Sequence, residues 1–285
     1  MMRRSAILLA SALLAAACSA PASKEPVEAF PGEPIFETQL TWSYSLTESP
    51  DRTVRVFASE RGDETWLYES RLENGKWTAP VRMELPGRKM ITGPSFSHFD
   101  GALYFSSDAA LEALPGRKDL NLWRVPLVDG EWGEAEPLPG DLNTGANETM
   151  AVVSRDGTMV FASNHSRLGA GGYDIGLASQ DADGNWMLVR PLDELNDGRT
   201  DDHIALTADG DRLFFYSHRA PKEGVVDIWT SKRLADGSWE TAVNPGPPLN
   251  TSGVDFGAGL SGDGKILFFS REGKLMQVPL ETLGY

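Results

Sequence analysis

Cysteine is nearly missing from this chain of 285 residues; the single copy is Cys18. Familiar catalytic signatures are missing too. There is no Gly-x-Ser-x-Gly elbow and no phosphate-cradling Gly-Lys-Ser/Thr loop. The glycine run at 169–172 lacks the following helix that a nucleotide site requires. The four histidines, His98, His165, His203 and His218, form no short metal-ligand pattern. A zinc site would need the loop residues His165, His203 and His218 to converge by coincidence, so no metal and no cofactor is expected. Positive charge is scarce: 26 basic residues face 41 acidic ones, a net −15. Such a field repels nucleic acid and anionic lipid headgroups, and leaves cations, neutral glycans or a basic protein face as partners. Helix signals are almost absent, and beyond the N-terminal leader no apolar run approaches membrane-spanning length.

The leader sets the expected compartment. Arg3 and Arg4 give a positive start, Ser5 to Ala16 a compact apolar run, and Ala15-Ala16-Ala17 a small-residue cleavage site directly before Cys18. Residues 1–17 therefore read as a signal peptide. Without Arg3 and Arg4 the mature chain carries 24 basic and 41 acidic residues, a net −17. The placement of the sole cysteine resembles the lipobox of bacterial lipoproteins, which implies lipidation of Cys18. Ser19 lacks the aspartate that retains such proteins in the inner membrane, so the implied address is the periplasmic face of the outer membrane; the alternative is a soluble periplasmic protein. Residues 18–34, rich in Pro, Ala and acid, read as a tether, and 35–285 as one domain.

That domain is repetitive. Turns recur at Pro50-Asp51, Asp100-Gly101, Asp156-Gly157, Asp209-Gly210 and Asp263-Gly264, about fifty residues apart. Each copy runs in one order: an alternating segment, the Asp turn, a second β-rich segment, a loop, a third segment, another turn and a Trp. Period-two alternation around Asp-Gly marks hairpins. Four short antiparallel strands per copy is the arithmetic of a propeller blade, and five copies make an all-β, five-bladed β-propeller, with six blades as the alternative. The last copy reaches Tyr285 one strand short, and Ile35–Leu40 is expected to complete it and so close the ring without open edges. The recurring Trp77, Trp132, Trp186 and Trp239, and the in-strand Trp42, Trp66, Trp123 and Trp229, are expected to pack within and between blades.

The runs Leu206-Thr-Ala-Asp-Gly210, Leu103-Tyr-Phe-Ser-Ser107, Gly171-Gly-Tyr-Asp-Ile175 and Leu249-Asn-Thr251 resemble the WD40-like repeats of TolB-type propellers of bacterial envelope proteins. The likeness covers everything after the tether. It implies a fold, and a family of binding modules, peptidase-associated propellers and proteins of unassigned role.

Propeller geometry places two sets of loops around one channel mouth: those entering each inner strand and those joining strands two and three. The candidate binding residues lie there: Asn147, Glu148, Arg199, Asp202, His203 and Asp255 in the first set, Asn164, His165, Arg167, His218 and Arg219 in the second. Glu148, Asp202 and Asp255 lie seven or eight residues ahead of their Asp turns and are read as a partial ring of carboxylates. Blade-to-blade bonding or ligand binding is the favoured role. The alternative is the acid trio of a five-bladed glycosidase, since two carboxyls about 5 to 9 Å apart do acid-base work on a sugar. The expected function is a non-enzymatic envelope module, monomeric, holding a protein or glycan partner at this mouth. Asp181-Ala-Asp183-Gly184-Asn185 lacks the closing Glu of a calcium loop and reads as a turn.

Overall fold

The computed structural model describes Leu40 and residues 42–285. The expected signal peptide, Cys18, the tether and all but the last residue of Ile35–Leu40 lie outside the described residues. What is described is a five-bladed β-propeller, five small antiparallel sheets in a ring. Blade one uses Trp42–Glu48, Val54–Arg61 and Glu64–Glu73, with the outer pieces Lys76–Trp77 and Val81–Arg82. Blade two uses Ile91–Phe96, Leu103–Ser107, Asn121–Val125 and Glu136–Pro137, and blade three Glu148–Val153, Met159–Ser163, Asp174–Gln180 and Trp186–Pro191. Blade four has Asp201–Leu206, Arg212–Ser217 and Asp227–Lys232, flanked by bridges from Arg233 to Trp239 and from Thr230 to Val243. Blade five has Asp255–Leu260, Ile266–Arg271 and Lys274–Pro279.

The Asp turns share one chemistry. In blades one, three, four and five the hydroxyl two residues ahead of the aspartate donates to its carboxylate: Ser49 to Asp51 at 2.6 Å, Ser154 to Asp156 at 2.7 Å, Thr207 to Asp209 at 2.6 Å, Ser261 to Asp263 at 2.7 Å. The next residue is left-handed each time, and glycine takes it except in blade one, where Arg52 adopts φ 62°. The first blade is thus regular despite its Pro-Asp turn. Arg52 is held there by Glu48 at 3.0 Å and by Asp263 of blade five at 2.8 Å.

The tryptophans pack. Trp186 is 1% exposed and meets Tyr104 of blade two edge-on at 6.3 Å. Trp132 stacks on Phe96 at 6.1 Å, and Trp77 lies under the Arg55 guanidinium at 4.1 Å. Such contacts bury the large faces that four-stranded sheets leave open.

Blades five and one meet directly. Ser43 N–H donates to the Gly273 carbonyl at 2.9 Å, and Ser270 Oγ donates to the Ser43 carbonyl at 2.8 Å. A Cβ on Gly259 would lie 1.9 Å from the Leu46 carbonyl oxygen, so only glycine allows the two inner strands to come this close. Leu40 packs against the Leu46, Phe57 and Phe268 cluster that spans this seam. Five inner strands surround one axis, and the six-bladed alternative falls.

Candidate functional site

Three blades are entered through the same short cassette. Leu142-Asn143, Leu195-Asn196 and Leu249-Asn250 each precede, by five residues from the Asn, the acid that opens an inner strand: Glu148, Asp201 and Asp255. The Asn amide grips the preceding blade, accepting from the backbone N–H of Leu122, Ile175 or Ile228 at 2.7 to 2.9 Å and donating to the same residue's carbonyl. The acid folds back onto the residue four earlier, accepting the N–H of Thr144 at 2.9 Å, Asp197 at 3.1 Å or Thr251 at 2.7 Å. An arginine at or beyond the end of the neighbouring second strand then takes the leucine carbonyl: Arg167 on Leu142, Arg219 on Leu195, Arg271 on Leu249. Arg219 also pairs with Asp201 at 2.7 Å, and Arg271 with Asp255 at 2.7 Å.

This cassette places several residues that the sequence put at the mouth. Glu148 and Asp255 are buried at 0% and turned into their own loops. Asn147 accepts from Leu120 N–H at 2.9 Å, and its own N–H donates to Asn164 Oδ1 at 2.8 Å. His165 Nδ1 accepts the Arg167 N–H at 3.1 Å, and Arg199 donates to the His218 carbonyl at 3.0 Å. The register of the supposed ring needs one correction: the partner of Glu148 and Asp255 is Asp201, since Glu148 pairs with Ser163 and Asp201 with Ser217 in the ladders. Asp202 stands at the next position.

That next position is where the blades converge. Its occupants are Tyr44, Thr92, Thr149, Asp202 and Phe256, each placed just before a bulge in its inner strand. Thr92 Oγ1 donates to Tyr44 Oη at 3.4 Å, Thr149 Oγ1 donates to Asp202 Oδ1 at 3.0 Å, and Phe256 meets Tyr44 at 5.3 Å between ring centres. The following residue is left-handed in every blade: Ser45, Gly93, Met150, His203 and Gly257, with φ from 49° to 67°. This turn swings His203 into contact with Tyr44 at 5.6 Å, Phe256 at 5.2 Å and Tyr216 at 5.0 Å. Trp42 extends the cluster past Phe256 at 6.4 Å, and exposed His218 extends it past Tyr216 at 5.6 Å. Trp42, His203, Tyr216 and Phe256 are half-buried, so a continuous arc of rings meets solvent at this mouth.

Asp202 lies within the arc, 6% exposed. Burial pushes its carboxyl up from the ordinary range, and burial likewise pushes the His203 imidazole down. His203 Nδ1 is 3.7 Å from Asp202 Oδ2 and has no hydrogen-bond partner. Desolvation also raises the Tyr44 and Tyr216 phenols, and pushes Tyr173 up to about 12. Among the described residues no three His, Cys, Asp or Glu side chains converge as a metal site. A separate cleft of about 560 Å3 lies at the rim between blades one and two, where Trp132 Nε1 donates to Glu69 at 2.9 Å.

His203 and His218 were among the sequence candidates and Trp42 was expected to pack, whereas Tyr44, Tyr216 and Phe256 were missed because each sits beside a motif rather than within one. The available signal was position: Asp202 and Phe256 directly follow the cassette acids Asp201 and Asp255.

No protein-family model matches the chain, and no curated protein matches it in sequence. Its structure is similar to TolB from Acinetobacter baumannii, at 15% identity and a TM-score of 0.48, over 83% of this chain and 54% of that one. The chain thus spans about half the length of that protein. A protein of Agrobacterium tumefaciens assigned as TolB is similar at 16% identity and a TM-score of 0.51, over 83% of this chain and 72% of its own. An α-L-arabinofuranosidase from Lactobacillus brevis is similar at 14% identity and a TM-score of 0.52, over 87% of this chain and 92% of its own. The likeness to TolB read from the repeats therefore extends to fold, and the fold is shared with a sugar-cleaving enzyme.

Proposed function

We propose that this chain is an exported envelope protein, anchored through Cys18 or free in the periplasm, that acts as a TolB-like binding module rather than an enzyme. The part of a partner that it holds, from an envelope protein or glycan, enters at the mouth ringed by Trp42, His203, Tyr216 and Phe256. The observation that carries this reading is the continuous arc of half-buried rings: partly exposed aromatic faces at the head of a rigid disc offer large contact area at little entropic cost. Around the arc, Arg199, His218 and the half-buried loop residues His165 and Arg167 supply a polar rim.

The glycosidase alternative draws support from the fold shared with the arabinofuranosidase and from Asp202 beside the channel. It is weakened by the internal bonding of Glu148 and Asp255, which leaves Asp202 without a second free carboxyl among the three candidates. Recovery of partners from envelope extracts by the tethered protein tests the reading. Phe256→Ala is expected to lose partners that the wild type retains, while Glu69→Ala at the rim cleft is not. Equal recovery by Phe256→Ala and wild type would move the binding surface elsewhere. Release of arabinose from arabinan, abolished in Asp202→Asn, would favour the enzyme.

A further inference from the structure

The carboxylates of this propeller are not equivalent in how their charge is met. Glu48 has Arg52 at 3.0 Å and Arg55 at 2.9 Å, Asp201 has Arg219 at 2.7 Å, and Asp255 has Arg271 at 2.7 Å. Asp202 is as deeply placed, yet no lysine or arginine pairs with it among the described residues. The single basic group within 4 Å is the His203 imidazole, at 3.7 Å and without a hydrogen bond at Nδ1. Glu148, Asp174 and Asp227 are also buried without a cation, but each turns onto donors of its own loop, Thr144, Gly171, and Glu223 with Gly224, whereas Asp202 has the Thr149 hydroxyl on one side and aromatic rings beside it.

What surrounds Asp202 completes the pattern. Its strand neighbour is Tyr216 in the ladder, and the adjoining His203 touches Tyr44, Tyr216 and Phe256 at 5.0 to 5.6 Å. Ring faces carry negative potential and attract a cation placed over them within about 6 Å, more strongly as water is excluded. A neutral ligand would gain from the rings but nothing from Asp202. An anion would meet both the carboxylate and a chain of net charge −15.

Resting on the binding reading above, we infer that the mouth recognises an organic ammonium group, held against the half-buried rings of Tyr216 and Phe256 that flank His203, with Asp202 as its counter-ion. The ammonium takes the pairing role that arginine fills at Asp201 and Asp255. Two sources carry it: the lysine side chain of a protein, and the free amine of an amino sugar.

Paired probes isolate the charge. Nα-acetyl-lysine amide is compared with its Nε-acetylated form, and glucosamine with N-acetylglucosamine, by titration calorimetry on the full chain. In at least one pair the free amine is expected to bind about tenfold more tightly than its acetylated counterpart, and the pair that discriminates identifies the source. Asp202→Asn keeps the acceptor for Thr149 and is expected to erase the discrimination; Phe256→Leu is expected to weaken the free amine severalfold. Matching melting curves establish that both variants fold, and should Asp202→Asn fail to fold, Phe256→Leu decides. Equal binding of both members of each pair, no binding of any probe, or unchanged discrimination in Asp202→Asn would overturn the inference. Partner recovery from envelope extracts that still depends on Phe256 would leave the binding reading standing in that event.

Discussion

Glu148 shows how a single side chain reports on its surroundings. It accepts from Thr144 N–H at 2.9 Å, Thr144 Oγ1 at 2.5 Å and Ser163 Oγ at 3.1 Å. These neutral donors do not offset its loss of water, and burial pushes its carboxyl from 4.5 up to about 6. A carboxyl with a raised folded-state pKa binds its proton more tightly in the native chain. Its contribution to stability is therefore fully present below about pH 4.5 and is lost as pH rises through about 6, a total of roughly 2 kcal/mol. Glu148→Gln removes this titration. The unfolding free energy of the variant minus that of wild type, from urea denaturation, is expected to rise by about 2 kcal/mol between about pH 4 and pH 7. A flat difference would mean that folding does not perturb the carboxyl. At this scale the sequence was informative about type and less so about role. The cassette acids Glu148 and Asp255 are where polar patterning put them, but spacing to the Asp turn could not separate Asp201, clamped by Arg219, from Asp202, which faces the rings.

The inner strand is the element on which both fold and mouth depend, and its recurring device is the bulge. In each blade the ladder skips at the third residue of the inner strand, or the fourth in blade one, which takes positive φ and re-aims the side chains around the axis. Two blades use glycine and three do not. Ser45 adopts φ 52°, and its buried hydroxyl has no hydrogen-bond partner, so it bears both backbone strain and an unmet polar group. Ser45→Gly is expected to stabilise the protein by roughly 1 kcal/mol, after the entropic cost of glycine. The equivalent Gly93 has φ +60°, and an added Cβ would lie 2.8 Å from Met150 Sδ and 3.3 Å from its backbone nitrogen. Gly93→Ala is expected to cost about 2 kcal/mol. Calorimetric melting of the two variants should therefore move in opposite directions; movement in the same direction would remove the bulge as a shared device. No such bulge was readable from composition, because Ser, Gly, Met, His and Gly have no common propensity. The position is imposed by crowding at the axis, and with it the convergence of Tyr44, Asp202 and Phe256.

For the whole molecule, blade number was legible because an Asp followed by a left-handed residue recurs five times, with a hydroxyl two residues ahead bonded to that Asp in four of them, and because Trp marks the outer edge. The closing contacts were not legible, since residues from opposite ends of the chain meet there without a motif. Gly259 tests the closure. Its Cα approaches the Leu46 carbonyl of blade one so nearly that an added Cβ would lie 1.9 Å from the oxygen and 2.9 Å from its carbon, both backbone atoms that cannot rotate away. Gly264, in the Asp turn of the same blade, has φ +69° but nothing within 4 Å of an added Cβ. Gly264→Ala therefore meets left-handed strain alone and is expected to cost about 1 kcal/mol. Gly259→Ala must part the two inner strands, loosening the Leu46, Phe57 and Phe268 cluster beneath them, and is expected to cost at least about 3 kcal/mol. Urea midpoints followed by tryptophan fluorescence separate the two outcomes. Equal losses at both glycines would mean that blade five does not rest on blade one at Leu46, and the mouth formed by Tyr44 and Phe256 across that seam would lose its support.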